Sequence, residues 1–280
     1  MSNVRNFIKK TIRKCQYVFL SKSSLKVDWV REKNFGDVLN PILVEKLSRV
    51  KVQHVVPRYY DGEYLSVIGS ILERANSNTI VWGSGFMRPD GCVISNPKKV
   101  YAVRGPDTRK KLLDQGIDCP EVYGDPALLL PKIYNPKKLS KYKIGVVAHY
   151  VDKENAWLTK IKNEKNVKII DPITDNPFDV IDQILSCEKI VSSSLHGVIV
   201  ADAYGIPSMW IELSKKVLGD GFKFVDYFKS VNRPDRSPVK INDDTSIEGL
   251  ASEVVEHKIS IDLDLLMASA PFLIDFEDAK

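Results

Sequence analysis

Short apolar segments alternate with amphipathic segments along most of the chain, and this alternation constrains the fold more than any other feature. Segments of strand length and composition occur at Lys26–Val30, Val52–Val56, Tyr64–Gly69, Thr79–Gly83, Val100–Arg104, Lys143–Ala148, Val167–Ile170, Lys189–Ser193 and Ser208–Ile211. Helical patterns lie between them, at Pro41–Arg49, Pro106–Gln115, Glu154–Lys165, Pro177–Ser186 and Leu195–Tyr204. Strand–helix–strand alternation predicts an α/β fold whose parallel sheets are covered by helices on both faces.

A polar segment, Lys132–Lys141, interrupts the alternation and predicts a linker between two doubly wound, Rossmann-like domains. We expect an N-terminal domain over residues 27–131 and a C-terminal domain over residues 142–280, which ends in a helical tail from about Thr245. A length of 280 residues fits two modest domains. Ligands of open α/β sheets bind beyond the carboxyl ends of the strands, so two such domains are expected to face a shared cleft.

Composition excludes several classes of protein. Hydrophobic residues make up 44% of the chain and charged residues 28%, which is typical of globular proteins. No apolar run approaches the roughly 20 residues of a membrane-spanning helix, and the N-terminus lacks the apolar centre of a secretory signal. The cysteines, Cys15, Cys92, Cys119 and Cys187, have neither C-x-x-C nor zinc-site spacing. These features predict a cytoplasmic protein with free thiols.

Residues 1–26 carry most of the excess positive charge. They contain seven basic residues and no acidic one, so the formal net charge of +5 leaves the rest of the chain slightly acidic. A neutral body argues against a nucleic-acid partner. As a helix, this segment would have one apolar stripe and one basic side, a pattern that suits an anionic membrane surface through residues 1–20. Docking of the apolar stripe on the protein body is the alternative.

A serine cluster after a buried strand carries the strongest functional signal, Lys189 to Gly197. Ser194 is a natural N-cap, which places His196 in the first helical turn. The unpaired N–H groups of a helix N-terminus bind anions, and Ser193 and Ser194 add hydroxyl donors. Gly197 is expected to let a ligand approach closely. His196 is a proton donor or acceptor near neutral pH, with a capping or packing histidine as the alternative.

Two further segments place polar groups after strands. Arg104 ends a strand before Gly105-Pro106, and its planar guanidinium can bind a carboxylate or phosphate through two hydrogen bonds, although a structural salt bridge fits equally well. Asn34-Phe35-Gly36-Asp37 forms a loop after the first strand, with Asn40 as the expected N-cap of a helix that begins at Pro41. Asn34 or Asp37 could contact a sugar hydroxyl; a turn capped by Asp37 is the alternative.

Weaker signals complete the set. Gly83-Ser84-Gly85 follows a strand but lacks the third glycine of a dinucleotide-binding loop. If residues 222–224 are extended, Phe222 and Phe224 share one face and Lys223 points into the cleft, unless it is a surface lysine. The chain has no phosphate-binding P-loop, no Gly-x-Ser-x-Gly elbow and no His-Glu-x-x-His helix, and we expect neither a metal nor a cofactor.

Together these segments resemble the polysaccharide pyruvyl transferase family between about Asn34 and Phe228. The resemblance lies in the order of short motifs: Asn34-Phe35-Gly36-Asp37, Arg104-Gly105-Pro106, Gly124-Asp125-Pro126, Ser194-Leu195-His196-Gly197, Gly205-Ile206-Pro207 and Gly219 to Phe224. Two departures are Asp107, where many members carry an apolar residue, and Ser194, where other branches carry arginine. The family implies a two-domain fold of the glycosyltransferase B type.

The resemblance also implies a reaction, in which a pyruvyl group moves from phosphoenolpyruvate onto two hydroxyls of a sugar as a cyclic ketal. In the resulting hypothesis, Arg104, Lys223, Ser193, Ser194 and Gly197 bind the donor. The catalytic residues are expected to be His196 as proton donor, with Asp37 or Glu212 as base; the acceptor would contact Asn34, Gly83 and Ser84. A lipid-linked oligosaccharide at the inner membrane face would suit the basic N-terminal segment.

Two other functions are compatible with the same residues. One is a nucleotide-sugar-dependent glycosyltransferase of the same fold, in which the second domain binds a nucleoside diphosphate. The other is a catalytically silent carbohydrate-binding scaffold, which would bind glycan but release no phosphate. Ligand-induced stabilisation by phosphoenolpyruvate or by nucleotide sugars distinguishes them.

Overall fold

The computed structural model describes residues 23–273, and within this range it contains two five-stranded sheets whose strands all pair in parallel. The N-terminal sheet consists of β1 (Leu25–Asp28), β2 (Val52–Val55), β3 (Tyr64–Ser66), β4 (Thr79–Trp82) and β5 (Lys99–Ala102). The C-terminal sheet consists of β6 (Ile144–Val147), β7 (Val167–Ile170), β8 (Ile190–Ser192), β9 (Ser208–Glu212) and β10 (Val239–Lys240). The α/β class and the parallel sheets are therefore confirmed, and β10 is the one strand of the described residues that the sequence did not predict.

The two sheets have the same strand order. The N-terminal sheet runs β2-β1-β3-β4-β5, and the C-terminal sheet, read from its opposite edge, runs β7-β6-β8-β9-β10. In each sheet the order reverses between the first strand and the third. This is the topological switch point of a doubly wound sheet, where ligands bind beyond the carboxyl ends of the strands. The segments that follow β1, β3, β6 and β8 are thus the places to look for a site.

Helices connect the strands and cover the sheets. Their bounds are α1 (Phe35–Ser48), α2 (Pro106–Asp114), α3 (Ala156–Ile161), α4 (Pro177–Leu185), α5 (Leu195–Ala203), α6 (Phe222–Ser230), α7 (Ile247–Glu253) and α8 (Leu263–Ala268). Short 3₁₀ helices occur at Pro57–Tyr59, Leu72–Arg74, Pro126–Lys132 and Tyr150–Asp152. Helices α2 to α5 lie where the sequence predicted them, with shorter ends.

Two elements differ from the sequence-based expectation. Helix α1 begins at Phe35 and runs through Pro41, whereas the predicted start was Pro41 with Asn40 as its cap. The side chain of Asn40 explains the difference, because its Nδ2 donates to the Asp37 carbonyl, which a proline nitrogen cannot do. Residues 222–224 are not extended but begin α6, so Lys223 lies in the first turn of a helix.

The C-terminal tail returns to the N-terminal half of the chain. The indole of Trp82 in β4 donates to the carbonyl of Leu266 and to the hydroxyl of Ser269, at 3.0 and 3.1 Å. One continuous apolar core includes side chains from both sheets, from α8 and from the 3₁₀ helix Pro126–Lys132, on which α5 packs. These contacts connect the tail, predicted as part of the C-terminal domain, to the first sheet as well. The predicted domain boundaries and the glycosyltransferase B arrangement stay predictions.

None of the helices within residues 23–273 has the length and apolar character needed to span a membrane. The basic N-terminal segment lies outside the described residues apart from its last four positions, so its predicted membrane contact stays a prediction as well.

Candidate active site

The carboxyl ends of the two sheets lie against each other, because the loop after β1 pairs with the loop after β7. The backbone N–H of Phe35 donates to the carbonyl of Pro172, and that of Thr174 donates to the carbonyl of Lys33, both at 2.7 Å. Asn34 and Ile173 form an antiparallel bridge between these two contacts. The carboxyl end of the N-terminal sheet is thereby joined to the carboxyl end of the C-terminal sheet.

His196 occupies the junction between the sheets. It stands in the first turn of α5, as predicted, and its ring lies directly on Gly36 of α1, where an added Cβ would come within 2.0 Å of Nδ1. On the other side of the ring, Nε2 lies 3.7 Å from Oδ2 of Asp125. Both of these atoms are enclosed, and neither has a hydrogen-bond partner among residues 23–273. A small movement of either side chain makes this contact a hydrogen bond.

The start of α5 offers several donors to an anion. The backbone N–H groups of Leu195 and His196 have no acceptor within the described chain, as expected at a helix N-terminus. Ser193 is buried and its Oγ accepts from the N–H of His149 at 2.9 Å, which leaves its own proton for another acceptor. Ser194 is the N-cap, but its side chain does not cap the helix.

Gly197 has a packing role in the structure. A Cβ at this position would come within 2.3 Å of Ser192 Oγ and 2.9 Å of the Val147 side chain, so the glycine lets α5 lie close to β6 and β8. This contact faces the sheet, whereas the sequence suggested an approach by a ligand.

Lys223 brings a buried ammonium group to the same cluster. The residue is only 7% exposed, and its Nζ lies 5.8 Å from the centroid of the Phe224 ring, with no hydrogen bond or ion pair to any residue of the described chain. Burial, and to a smaller extent the guanidinium of Arg104, lower the pKa of Lys223 to about 8, while Asp37 opposes the shift. A buried cation without a counterion is costly, which marks this position as one where an anionic ligand would be stabilised.

His149 belongs to the cluster but was not predicted from the sequence. It follows β6 at the C-terminal switch point, and its Nδ1 accepts from the N–H of Val151 at 3.3 Å. Burial lowers the pKa of His149 to about 4, with smaller contributions from the charges of Lys223 and His196. The ring is therefore neutral at pH 7 with its proton on Nε2, a hydrogen-bond donor. The available signal was its position directly after a buried strand.

Asp37 and Asn34 lie on the α1 side of the junction. The Asn34 amide donates to Oδ2 of Asp37 at 3.0 Å, in the first turn of α1. Burial raises the pKa of Asp37, while the Asn34 hydrogen bond and the charge of His196 oppose the rise. A carboxylate with these properties, next to an imidazole, suits a general base.

Arg104 is fully buried, at 0% exposure, and its guanidinium is engaged by protein groups. Nε and Nη2 contact Oδ2 of Asp226 at 3.0 Å, Nη1 donates to Ser70 Oγ, and Nη2 donates to the carbonyl of Phe86. Asp226 lies on α6, three residues after Lys223. The ion pair thus holds in place the helix that carries Lys223. This is the structural salt bridge that was expected from the sequence as the alternative to a ligand contact for Arg104.

The remaining predicted residues, Gly83, Ser84 and Glu212, each contact other protein groups. Gly83 and Ser84 are buried: a Cβ at Gly83 would meet Pro126 at 2.2 Å, and the Ser84 hydroxyl accepts from Ser66 at 2.9 Å. Glu212 is ion-paired with Lys215 and lines a separate cavity together with Ser193. Among residues 23–273, no group of three or more His, Cys, Asp and Glu side chains is arranged to hold a metal ion.

Comparisons with known proteins agree with these motifs. A protein of Acanthamoeba polyphaga mimivirus named uncharacterized protein L143 is 34% identical over 205 residues, which is 71% of either chain. The succinoglycan biosynthesis protein ExoV of Rhizobium meliloti is 32% identical over 235 residues, covering 77% of this chain and 68% of ExoV. A solved structure of a functionally uncharacterized Klebsiella pneumoniae protein covers 85% of this chain and 98% of its own, with a TM-score of 0.44 and 15% identity. The model of the polysaccharide pyruvyl transferase family matches residues 34–215, and the chain belongs to that family.

Proposed function

We propose that this protein transfers the pyruvyl group of phosphoenolpyruvate onto two hydroxyls of a sugar, as a cyclic ketal, and releases phosphate. The observation that carries the proposal is the buried, unpaired ammonium of Lys223 beside the free N-terminus of α5. Phosphoenolpyruvate carries two anionic groups, a carboxylate and a phosphate. The ammonium of Lys223 and the N-terminus of α5 provide one set of hydrogen-bond donors for each. The sugar belongs to a polysaccharide or to its lipid-linked precursor.

In this proposal the donor lies between α5 and α6. Lys223 binds one anionic group, and the N–H groups of Leu195 and His196 with the hydroxyls of Ser193 and Ser194 bind the other. His149 adds a neutral N–H donor from Nε2. Arg104 acts through Asp226, which holds α6 in place, and contributes positive potential without direct contact.

The chemistry needs one proton donor and one proton acceptor. His196 protonates C3 of the donor as the first sugar oxygen bonds to C2, and Asp37 or Glu212 accepts the proton of that hydroxyl. The second hydroxyl oxygen then bonds to C2 as the C2–O bond to phosphate breaks, and its proton leaves with the phosphate. Asp125 orients the imidazole of His196 through Nε2. The proton on the carboxyl group of Asp37 or Glu212 returns to His196, which restores both catalytic groups, and the products are the ketal and inorganic phosphate.

Phosphate release from phosphoenolpyruvate in the presence of soluble glycans tests this function. We expect release by the wild type and a loss of about 10²- to 10⁴-fold in His196→Ala, since general acid catalysis contributes that much. Unchanged turnover in the variant would remove His196 from the mechanism. Release that depends on a nucleotide sugar, with no effect of phosphoenolpyruvate, would favour a glycosyltransferase.

The basic N-terminal segment is proposed to hold the enzyme at an anionic membrane surface, where a lipid-linked acceptor would be available. Deletion of residues 1–20 should reduce binding to vesicles that contain anionic lipid and should spare activity on soluble acceptors. Vesicle binding at full strength after the deletion would show that this segment is not the anchor.

A further inference from the structure

A cavity of about 250 Å³ lies at the carboxyl edge of the C-terminal sheet, next to the proposed donor site. The ends of β8 and β9, the loop 213–221 and the segment 236–240 form its walls. Ser193, Gly221 and Phe224 belong to these walls, and they are neighbours of His149 and Lys223. We propose that this cavity binds one sugar ring of the acceptor, an inference that rests on the proposed pyruvyl transfer.

An aromatic platform forms one side of the cavity. The rings of Trp210 and Phe224 are stacked, with centroids 4.4 Å apart and planes within 9° of parallel. Gly221 closes over the indole, where an added Cβ would come within 2.6 Å of the ring. A stacked pair held in this way is rigid, and it fixes the side chain of Trp210 in the wall of the cavity.

The indole of Trp210 also has an unused donor. Trp210 is only 7% exposed, and its Nε1 has no acceptor among residues 23–273. By contrast, the buried indoles of Trp82 and Trp157 donate to the carbonyls of Leu266 and Thr245. Nε1 of Trp210 is not one of the enclosed, unpaired side-chain atoms of the described residues, and Trp210 lines the cavity. This N–H is therefore available to donate to an acceptor oxygen of a bound ligand.

Charged groups at the rim match the hydroxyls of a sugar. Glu212 presents a carboxylate that Lys215 holds by contacts at 3.0 and 3.1 Å. Arg236 donates to backbone carbonyls only through Nη1, which leaves its other N–H groups for a ligand. Sugar hydroxyls donate and accept hydrogen bonds, so a rim that contains a carboxylate, cations and an indole N–H can bind several of them.

The size of the cavity suits a single sugar ring. Its volume of about 250 Å³ lies just below the range of about 300–1,000 Å³ for sites of drug-sized ligands, which fits a monosaccharide unit. A ring bound here would have its hydroxyls between Glu212 and the wall that separates the cavity from Lys223. Glu212 would then act as the base for an acceptor hydroxyl.

Saturation-transfer NMR with methyl hexopyranosides, in the presence of phosphoenolpyruvate, tests this site. At least one hexoside should receive saturation from the wild type, and Trp210→Phe should weaken its binding about 10-fold through the loss of one hydrogen bond. Arg236→Ala, a change at an exposed residue, should also weaken binding about 10-fold. Trp157→Phe is the matched control, because it removes an indole N–H outside the cavity and should lower the melting temperature while hexoside binding is kept.

The possible outcomes distinguish failure of the acceptor-site proposal from failure of the donor-site proposal. The acceptor assignment is overturned if no hexoside binds the wild type, if Trp210→Phe binds hexosides as the wild type does, or if uridine diphosphate displaces them. If hexosides bind as expected but phosphoenolpyruvate does not raise the melting temperature, the sugar site stands and the donor proposal fails.

Discussion

The imidazole of His196 rests on the backbone of Gly36, and only glycine leaves room for it. A Cβ at position 36 would come within 2.0 Å of Nδ1 and 2.4 Å of Cε1 of the ring, distances that no real side chain tolerates. His196 lies on α5, which follows β8 of the C-terminal sheet, and Gly36 lies on α1, which follows β1 of the N-terminal sheet. This contact therefore sets the position of the imidazole relative to both switch points.

Substitution Gly36→Ala should displace His196 and reduce turnover much more than it reduces donor binding. A displacement of about 1 Å at a reacting group costs roughly 100-fold in rate, which phosphate release would measure. Gly249→Ala is the matched control: it lies in α7, its nearest neighbour is 3.6 Å away, and alanine should stabilise the helix slightly. Equal activity of Gly36→Ala and the wild type would show that the position of His196 is unimportant.

The Arg104–Asp226 pair should be important for stability, because it is buried and joins the segment between β5 and α2 to α6. Besides Arg104, Asp226 accepts hydrogen bonds from the N–H and the hydroxyl of Thr108. Asp226→Asn should lower the free energy of unfolding by about 3–5 kcal/mol, since it leaves a buried guanidinium without its counterion. Chemical denaturation measures this change.

Helices α2 and α6 provide the control. Lys229 of α6 pairs with Asp107 of α2 at 2.7 Å, but this pair is partly exposed. Lys229→Ala should therefore cost no more than about 1 kcal/mol. A similar loss in both variants would mean that burial does not determine the strength of the contact between α2 and α6.

His149 should contribute one neutral hydrogen bond to the bound donor. His149→Ala is expected to weaken binding of phosphoenolpyruvate about 10-fold, whereas His149→Gln, which keeps an N–H near the Nε2 position, should bind nearly as the wild type does. Calorimetry at pH 7 measures both. Loss of binding in both variants to the same extent would point to a purely structural role.

Lys223 should destabilise the unliganded protein. The pKa of Lys223 is about 8 in the folded chain, against 10.5 for a lysine exposed to solvent. Between pH 8 and pH 10.5 the unfolded chain therefore binds more protons than the folded chain. Stability then rises as pH increases through this window. Lys223→Met should be more stable than the wild type at pH 7, by an amount on the order of 3 kcal/mol, and this advantage should shrink towards pH 10. Thermal unfolding of both proteins from pH 7 to pH 10 measures this difference in stability. A difference that stays constant with pH would contradict the buried-ammonium interpretation.

Sequence patterns predicted nine of the ten strands of the described residues and the position of His196 in the first turn of α5, since each depends on local composition. They were insufficient where the role of a residue depends on a partner that is distant along the chain. Arg104 fitted a ligand contact or a salt bridge equally well, and its partner Asp226 lies 122 residues further along the chain. The start of α1 was displaced because Asn40-Pro41 has the appearance of a helix start, while the Asn40 side chain compensates for the missing N–H.

Lys223 and His149 show a second limit of sequence-based prediction, which concerns where a side chain lies relative to the site. Lys223 was placed in the cleft through an extended conformation, and the structure brings it to the junction through the first turn of α6. His149 carries no motif of its own, and its hydrogen bond to Ser193 places it beside the predicted cluster. Both residues depend on how the ends of different strands meet, which local patterns do not encode.

Calorimetric titration of phosphoenolpyruvate into the wild type and into Lys223→Met at pH 7 tests the donor site most directly. The wild type should bind, with an affinity that falls above about pH 8 as Lys223 loses its proton. Lys223→Met should bind about 10- to 100-fold more weakly, the loss expected for a hydrogen-bonded charge. Equal affinity of the two proteins, or no binding to the wild type, would contradict a donor site at Lys223.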